Sequence, residues 1–282
     1  MKDSLLKISG ASFLNARVYN LLYSKAILKI TPLLKKFTLV IVSHSKKFIV
    51  LLPWKTASQT LAQRLQDYNQ SPYSGFFSFN PYLNRVIHQH LTCSDFFGLP
   101  EAALGYYLVS FVRNPYDRVY AGFRQVQRDL VTQPKMQFEK GWVKELVLKQ
   151  LKETQLKLIQ ANHDFDNWVE LLDEYEIYEQ GRNTNFPLHP SYYWTHLGGK
   201  QYVDFIGKVE NFENDLEKFS NIAGIPSGQK INSNTTELLA QSKIGPIGYR
   251  YVDRMKPSSI KKINSLFSKD FELFDYSIIN PT

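Results

Sequence analysis

The sequence lacks several features that would place it in a special class of protein. Its 282 residues include a single cysteine, Cys93, which excludes an internal disulfide framework and fits a reducing compartment. No apolar run is long enough to span a bilayer, and the first residues lack the uninterrupted apolar core of a signal peptide. Internal repeats and low-complexity tracts are also missing. These absences predict a globular, soluble, cytoplasmic protein.

Acidic side chains are outnumbered by basic ones. The chain has 34 Lys and Arg against 26 Asp and Glu, a net charge of +8. This excess favours anionic partners such as nucleotides, acidic glycans, nucleic acid or anionic lipid. Hydrophobic residues make up 43% and charged residues 21%, which is the composition of a folded domain of ordinary size.

Strand-like segments alternate with helical ones along the chain, which predicts an α/β fold with a central, mainly parallel sheet flanked by helices. Residues 1–37 are interpreted as an N-terminal helical extension and residues 38–282 as a single domain, with a helical insertion at about 131–180. An amphipathic helix at 13–30 is expected to pack on the domain rather than on a membrane. Strands are predicted at 38–42, 47–52, 106–112 and 201–209, helices at 58–68, 116–130 and 257–267, and a loop at 71–81.

The first informative loop follows the predicted strand 47–52. It reads Pro53-Trp54-Lys55-Thr56-Ala57-Ser58-Gln59-Thr60. A lysine, hydroxyl groups and loop amides at the carboxyl end of a buried strand suit a terminal phosphate or sulfate. The alternative is an ordinary strand-to-helix turn in which Ser58 caps the helix.

A second loop follows the strongest predicted strand, Tyr106 to Val112. Arg113 comes directly after this strand, and Pro115 fixes the turn and can begin the next helix. A guanidinium in this place suits a bidentate contact with a phosphate. The two loops together predict a ligand with anionic groups at two separate points.

Other charged residues near the second loop have less defined roles. Arg118 is either a second ligand or the partner of an acid such as Asp117 or Glu210. Arg124 and Arg128 are expected to lie on the solvated face of the helix.

Two histidines stand out in the segment Val86 to Leu91. Because His88 and His90 are two residues apart, they share one face of an extended strand and both could face a ligand. The alternative is that one or both are surface or structural histidines. A metal site is not expected, since no third ligand is close in sequence. His189 and His196 flank the aromatic segment Ser191 to Trp194, which could line a sugar site but reads more readily as core.

The two loops resemble the nucleotide-binding motifs of sulfotransferases that use 3′-phosphoadenosine 5′-phosphosulfate (PAPS), particularly the carbohydrate sulfotransferases. In that family a P-K-T-[AG]-[GS]-[ST]-[ST]-like loop binds the 5′-phosphosulfate, and an R-[DN]-P-x-x-R-x-x-S segment binds the 3′-phosphate. The resemblance runs from about residue 38 to 276 and includes Val203–Phe212 and Lys269–Tyr276. The chain departs from the motifs at Trp54, at Gln59 and at Ala121, where the family has serine; Tyr120 or a later residue is a possible substitute.

The resemblance implies a P-loop-like three-layer domain, PAPS as co-substrate and a hydroxyl acceptor on a glycan. It assigns nucleotide contacts to Arg113 and to loop residues that include Lys55, which also neutralises the leaving group. The residues of the Lys55 loop that are assigned such contacts are Thr56, Ala57, Ser58, Gln59 and Thr60. Further contacts are expected from Tyr249 and Arg250, which lie where the family carries a second loop over the nucleotide.

The segment around the two histidines resembles the H-x-H element of uronyl 2-O-type and related bacterial carbohydrate sulfotransferases, in which a histidine is the base. His90 is favoured over His88, and Glu210 is the reserve candidate. Two other functions stay open. A nucleotide-dependent kinase is disfavoured because the G-x-x-x-x-G-K-[ST] pattern and an acidic magnesium ligand are missing. The other is a non-catalytic protein that binds polyanions. Neither a metal nor a nucleic acid is expected as partner.

Overall fold

The computed structural model describes residues 40–72, 77–132, 141–178, 188–228 and 241–281. The predicted N-terminal extension, with its amphipathic helix at 13–30, lies outside these residues. So do parts of the predicted helical insertion, whose boundaries stay a prediction.

Short strands and longer helices alternate along the described chain. The strands are β1 (Ile41–Ser43), β2 (Phe48–Val50), β3 (Phe77–Asn80), β4 (Arg85–His88), β5 (Tyr107–Val112), β6 (His196–Leu197), β7 (Lys200–Gln201) and β8 (Phe205–Lys208). The helices are α1 (Ser58–Arg64), α2 (Cys93–Phe97), α3 (Pro115–Thr132), α4 (Gly141–Gln160), α5 (Phe165–Glu170), α6 (Glu174–Tyr178), α7 (Phe212–Ala223), α8 (Pro257–Leu266) and α9 (Ser268–Leu273). None of the helices in this part of the chain is both long and apolar enough to cross a membrane.

The main sheet has the order β1-β2-β5-β8. β1 pairs with β2 as an antiparallel hairpin, whereas β2 with β5 and β5 with β8 are parallel pairs. Because the three parallel strands point the same way, the residues that follow each of them meet at one edge of the sheet. The two loops singled out in the sequence and the segment that contains Glu210 all leave from this edge.

Both faces of the sheet are covered, which makes a layered α/β domain and confirms the predicted fold class. In β2, Phe48 and Val50 pack with α1 and α7, while Ile49 faces a second cluster that contains Ile87, Phe96 and Trp194. A third cluster joins α3, α5, α8 and α9 around Trp168. Helix α3 therefore lies between the sheet edge and a helical core, so its position is fixed along its first half.

Two local predictions were wrong. Residues 71–81 were predicted to be a loop, but Phe77–Asn80 forms β3, which pairs with β4 in an antiparallel hairpin. The predicted strand at 201–209 is two pieces, β7 in a small hairpin with β6 and β8 in the main sheet. In both cases the pairing partner decides the structure, and the local sequence pattern does not reveal that partner.

Candidate active site

The loop after β2 has an unusual backbone. Lys55 and Ala57 both have positive φ, at 64° and 58°, a conformation that non-glycine residues seldom adopt. Thr56 lies between them, fully buried, and its hydroxyl donates to the carbonyl oxygen of Pro53 at 2.9 Å. Successive residues of this kind turn their amides toward a common centre, which is a recurrent way of binding anions.

Helix α1 begins at Ser58, and Ala57 is its N-cap residue without a side-chain hydrogen bond. The expectation that Ser58 caps this helix was therefore wrong. Ser58 is buried, Thr60 is half-buried and Gln59 is exposed, all within the first turn. The hydroxyls of the motif thus lie at the start of α1, beside the strained loop.

Lys55 extends its side chain toward helix α3. Its Nζ donates to Oε1 of Gln125 at 3.1 Å. The pKa of Lys55 is lowered to about 8, mainly by burial and also by the charges of Arg128 and Arg113, while Asp129 acts in the opposite direction. The ammonium group is therefore held in a region that already carries excess positive charge.

His90 lies next to the same loop. Its Nδ1 donates to the carbonyl oxygen of Leu52 at 2.7 Å, and its ring stacks on that of Trp54 with centroids 4.6 Å apart. Since Nδ1 carries the proton, Nε2 of the neutral ring is the basic nitrogen. The pKa of His90 is lowered to about 3, mainly by burial and also by the charges of Lys55 and Arg118, while the hydrogen bond to Leu52 acts in the opposite direction.

His88 is the last residue of β4 and pairs with Phe77 in the hairpin register. The strand ends there, so His90 lies beyond it. The expectation that both histidines share one strand face was wrong for this reason. His90 contacts the segment that leads into the loop after β2, whereas the side chain of His88 lies outside the described part of the structure.

Arg113 follows β5 at the same edge of the sheet. Its guanidinium lies 3.7 Å from Oδ2 of Asp117 and 5.7 Å from the ring centre of Tyr251. Hydrogen bonds of the next residue, Asn114, fix this turn. Its side-chain oxygen accepts from the amide of Asp117 at 2.9 Å, and its own amide and side chain donate to Glu210. Arg113 is thus oriented by Asp117, which lies in the first turn of α3.

Asp117 joins this loop to the segment 241–251. Its carboxylate accepts from the amides of Arg250, at 3.1 Å, and Tyr251, also at 3.1 Å, and it is almost completely buried. The side chain of Arg250 is exposed, whereas Tyr249 is buried and its hydroxyl donates to the carbonyl oxygen of Ser277 at 3.1 Å. Of the two residues predicted from this segment, Arg250 has the side chain that can reach a ligand.

Glu210, the reserve base, has structural contacts. Its Oε1 accepts from the amide and side chain of Asn114, and its Oε2 accepts from the hydroxyl of Tyr276 at 3.0 Å. The backbone at Gly248 packs against it, since a Cβ there would come within 2.9 Å of the Glu210 side chain. The carboxylate therefore supports the Arg113 turn, and the expected pairing of Glu210 with Arg118 was wrong.

Arg118 is a buried structural residue. Its guanidinium lies 3.5 Å from Asp270 and also donates to the carbonyl oxygens of Trp54 and His189. Both side chains of the ion pair are completely buried. The pairing of Arg118 with Asp117 or Glu210 that the sequence suggested was wrong, because the partner lies 152 residues away along the chain.

Ala121 is buried, so the fold places a methyl group where the motif has a hydroxyl. Tyr120 stacks on Tyr251 with ring centroids 4.6 Å apart, and its hydroxyl accepts from Arg254 at 3.3 Å. The Arg113 guanidinium lies over the ring of Tyr251, the other ring of this stack. The two stacked rings therefore lie between Arg113 and Arg254.

Sequence reasoning missed Gln125. Gln125 Oε1 accepts from both Lys55 and Arg128. Arg128 is exposed, as expected for the solvated face of the helix, and its hydrogen bond to Gln125 also links it to Lys55. A signal was present: positions 117, 121 and 125 are four residues apart, so they share the face of α3 on which Asp117 meets Arg113. Within the described ranges, no three His, Cys, Asp or Glu side chains are grouped so that they could hold a metal ion.

The site therefore consists of a strained loop with a half-buried lysine, an oriented neutral histidine and an arginine held by Asp117 at the edge of a parallel sheet. The model of the sulfotransferase family matches residues 34–277. The chain belongs to the sulfotransferase family. No curated protein and no solved structure matches the chain significantly.

Membership of the sulfotransferase family makes the chain a transferase of sulfuryl groups to a hydroxyl acceptor. The family inferred from the two loops is confirmed at this level. Its placement among the uronyl 2-O-type and bacterial carbohydrate enzymes stays a prediction, as do the individual site residues.

Proposed function

We propose that this sulfotransferase moves the sulfuryl group of PAPS to a hydroxyl of a carbohydrate, by in-line transfer with His90 as the base. The observation that carries the proposal is the position of His90 beside the Lys55 loop. One residue, Leu52, lies between β2 and the loop and also holds the histidine through its carbonyl oxygen. A base and a cation are thereby fixed to the same short segment.

The donor has two anionic ends, and the sheet edge offers two sites for them. The loop from Pro53 to Thr60 is suited to the 5′-phosphosulfate, because the positive φ angles of Lys55 and Ala57 are of the kind found in anion-binding loops and Lys55 adds a positive charge. Arg113 is suited to the 3′-phosphate, since a guanidinium can bind phosphate with two parallel hydrogen bonds. Arg250 is a further cation for this end, as its amide is bound to the carboxylate that orients Arg113.

The reaction needs one proton transfer and one displacement. Nε2 of His90 accepts the proton of the acceptor hydroxyl while the oxygen attacks the sulfur. A new oxygen–sulfur bond forms and the bond from sulfur to the bridging oxygen of the 5′-phosphate breaks. The electron pair leaves with adenosine 3′,5′-bisphosphate, whose developing charge Lys55 neutralises. The proton passes from His90 to solvent afterwards.

A carbohydrate acceptor is supported by half-exposed aromatic rings on the same side of the fold. Tyr192 and Tyr193 stack with centroids 4.4 Å apart, and Lys269 lies 5.4 Å from the ring centre of Tyr192. Tyr193 packs against the same core cluster as Trp54, the residue that stacks on His90. Aromatic faces of this kind pair an apolar surface with polar edges, which suits a sugar.

Ligand binding and turnover test the proposal in two steps. Adenosine 3′,5′-bisphosphate should raise the melting temperature in the presence of EDTA, because a ligand that binds the folded state stabilises it. Transfer of labelled sulfate from PAPS to a panel of oligosaccharides should then be lost in Lys55→Ala. Lys46→Ala is the matched control, since Lys46 is exposed and donates to the carbonyl oxygen of Gly224.

The outcomes separate the alternatives. If neither PAPS nor its product shifts the melting temperature, the proposed donor is wrong. A shift with ATP that requires magnesium would instead indicate a kinase. Salt-sensitive binding of polyanions without any response to the nucleotide would indicate a binding protein.

A further inference from the structure

Helix α3 continues beyond the point where it meets Lys55. Oε1 of Gln125 accepts a hydrogen bond from Lys55 at 3.1 Å and another from Arg128 at 2.9 Å, so the two cationic nitrogens are no more than about 6 Å apart. Nε2 of Gln125 donates to the carboxylate of Asp129 at 2.6 Å. One glutamine amide thus fixes a lysine, an arginine and an aspartate around it.

The direction of α3 places this group on the acceptor side of the site. The helix starts beside Arg113, and Gln125 meets Lys55 about three turns later. Arg128 lies almost one further turn along α3, so it is farther than Gln125 from the end of the helix at Arg113. If the nucleotide extends from Arg113 to Lys55, its sulfuryl end points toward Arg128. The acceptor must approach the sulfur from that end, because in-line transfer requires attack opposite the leaving oxygen.

The charges in this group do not cancel. Lys55 and Arg128 are both cationic, and Asp129 is the acid that the group contains. Arg128 and Arg113 each lower the pKa of Lys55, as expected for cations that lie close together. Arg128 is exposed although it belongs to this group, so a ligand can reach it from solvent.

We propose that Arg128, positioned by Gln125, binds an anionic group of the acceptor next to the hydroxyl that receives the sulfuryl group. The inference rests on the proposed function and makes the acceptor an acidic glycan. A carboxylate of a uronic acid and a sulfate ester each offer two oxygens that a guanidinium can bind through parallel hydrogen bonds. Arg128 is accordingly a specificity-determining residue, separate from the contacts that hold the nucleotide.

Direct binding to the enzyme with adenosine 3′,5′-bisphosphate tests the inference without requiring turnover. Three fluorescently labelled probes of equal length are compared by anisotropy at 0.15 M ionic strength: a uronic-acid oligosaccharide, its carboxyl-reduced form, and the reduced form carrying sulfate esters. The matched control for Arg128→Gln is Arg124→Gln. Arg124 lies on the same helix, is exposed, and donates to Gln127 at 3.0 Å, so both variants lose the same charge.

The wild-type protein should bind one or both acidic probes at least about tenfold more tightly than the reduced probe, the size expected for one charge-assisted pair. Arg128→Gln should abolish this preference, and Arg124→Gln should keep it. The acidic probe that shows the preference identifies the anion as carboxylate or sulfate. An equal affinity of the wild type for all three probes would overturn the inference, and so would a preference that survives in Arg128→Gln.

Nucleotide binding keeps the two proposals distinguishable. Arg128→Gln should show the same melting-temperature rise with adenosine 3′,5′-bisphosphate as the wild type. A reduced rise in this variant would place Arg128 on the donor and overturn the acceptor assignment. Failure of the wild type to bind the nucleotide at all would contradict the proposed function itself.

Discussion

The Nδ1–H group of His90 donates a hydrogen bond to the carbonyl oxygen of Leu52, and the two atoms are 2.7 Å apart. This bond selects the tautomer in which Nε2 is the basic nitrogen, and the stack on Trp54 limits rotation of the ring. The main chain that leads into the Lys55 loop therefore also sets the direction of the imidazole. A shift of this strand end would move both the base and the cation of the proposed reaction.

Replacing His90 by Gln should lower kcat by about 10²–10⁴-fold, the usual contribution of a positioned general base. The amide can still donate to Leu52 but cannot accept a proton. The melting-temperature rise with adenosine 3′,5′-bisphosphate should stay unchanged, because the proposed nucleotide contacts are elsewhere. Stopped assays of sulfate transfer and thermal melts measure the two effects.

His44→Gln is the control for this substitution. His44 lies in the β1–β2 turn, where its Nδ1 is 3.2 Å from the hydroxyl of Tyr106, at the opposite edge of the sheet. It should leave kcat unaffected. Normal turnover in His90→Gln would remove His90 from the role of base.

The pH dependence gives a second check on His90. Its pKa of about 3 means that the free protein keeps the neutral, basic imidazole well below pH 6. The acidic limb of kcat/KM should therefore lie below pH 5.5, whereas a base with an ordinary histidine pKa near 6.5 would be about nine-tenths protonated there. Loss of kcat/KM with a midpoint near pH 6.5 would contradict this environment for the base.

Lys55 should cost the unliganded protein stability. Its pKa is lowered to about 8 from 10.5, so between these values the unfolded chain binds more protons and stability rises with pH. Lys55→Met removes the buried charge and should raise the free energy of unfolding at pH 7 by on the order of 1–2 kcal/mol, after part of the gain is offset by the lost hydrogen bond to Gln125.

Chemical denaturation of both proteins at several pH values measures this difference. The advantage of Lys55→Met should be constant below pH 8 and should shrink as the pH rises toward 10.5. The same variant should be inactive. A variant that is less stable than the wild type at every pH would show that the charge of Lys55 does not destabilise the folded protein.

The loops of the site could be predicted from the sequence because each follows a strand with a clear apolar pattern. An apolar run such as Tyr107–Val112 has a clear pattern, and the residue after it is placed at the sheet edge by the parallel topology. The position of Lys55 and Arg113 at this edge could be inferred from the strands that precede them, and their part in ligand binding stays a prediction. Local pattern and global topology agree at these two positions.

Contacts between distant segments could not be predicted in the same way. Arg118 pairs with Asp270, and Gln125 meets Lys55, yet neither pair is related by helical or strand spacing. The strand Phe77–Asn80 was missed for a similar reason, since its pattern is defined by the hairpin partner rather than by its own residues. These contacts and this strand depend on which distant segments pack together, and the local pattern of one sequence does not show that.

Asp117 is predicted to be a positioning residue for the 3′-phosphate end. Its carboxylate lies 3.7 Å from the Arg113 guanidinium and accepts from the amides of Arg250 and Tyr251. Asp117→Asn should weaken all these contacts. We expect affinity for adenosine 3′,5′-bisphosphate to fall about tenfold while affinity for adenosine 5′-phosphate, which lacks the 3′-phosphate, changes little.

Asp166→Asn is the matched control for Asp117→Asn. Asp166 is also buried and accepts from a main-chain amide, that of Lys256, and from the hydroxyl of Ser259. It lies in the helical core, so its substitution should lower stability without changing the ratio of the two nucleotide affinities. Calorimetric titration gives both affinities. An unchanged ratio in Asp117→Asn would mean that the carboxylate has only a structural role.

The buried pair of Arg118 and Asp270 should behave as a structural unit. Asp270 also accepts from the amides of Ser191 and Tyr192, at 2.7 and 3.0 Å, so the ion pair ties α3 and α9 to the aromatic segment. Arg118→Met leaves an uncompensated buried carboxylate and should lower the free energy of unfolding by about 3–5 kcal/mol. Asp270→Asn should cost a similar amount, because it leaves the guanidinium without its counter-charge.

The double variant distinguishes an ion pair from two independent contributions. If the charges compensate each other, Arg118→Met with Asp270→Asn should lose clearly less stability than the sum of the single variants, with a coupling of about 1–3 kcal/mol. Denaturant unfolding of the four proteins gives this coupling. Additive losses would show that Arg118 stabilises the fold mainly through the carbonyl oxygens of Trp54 and His189. In that case the loop that carries Lys55 would depend on Arg118 directly, and Arg118→Met would also weaken nucleotide binding.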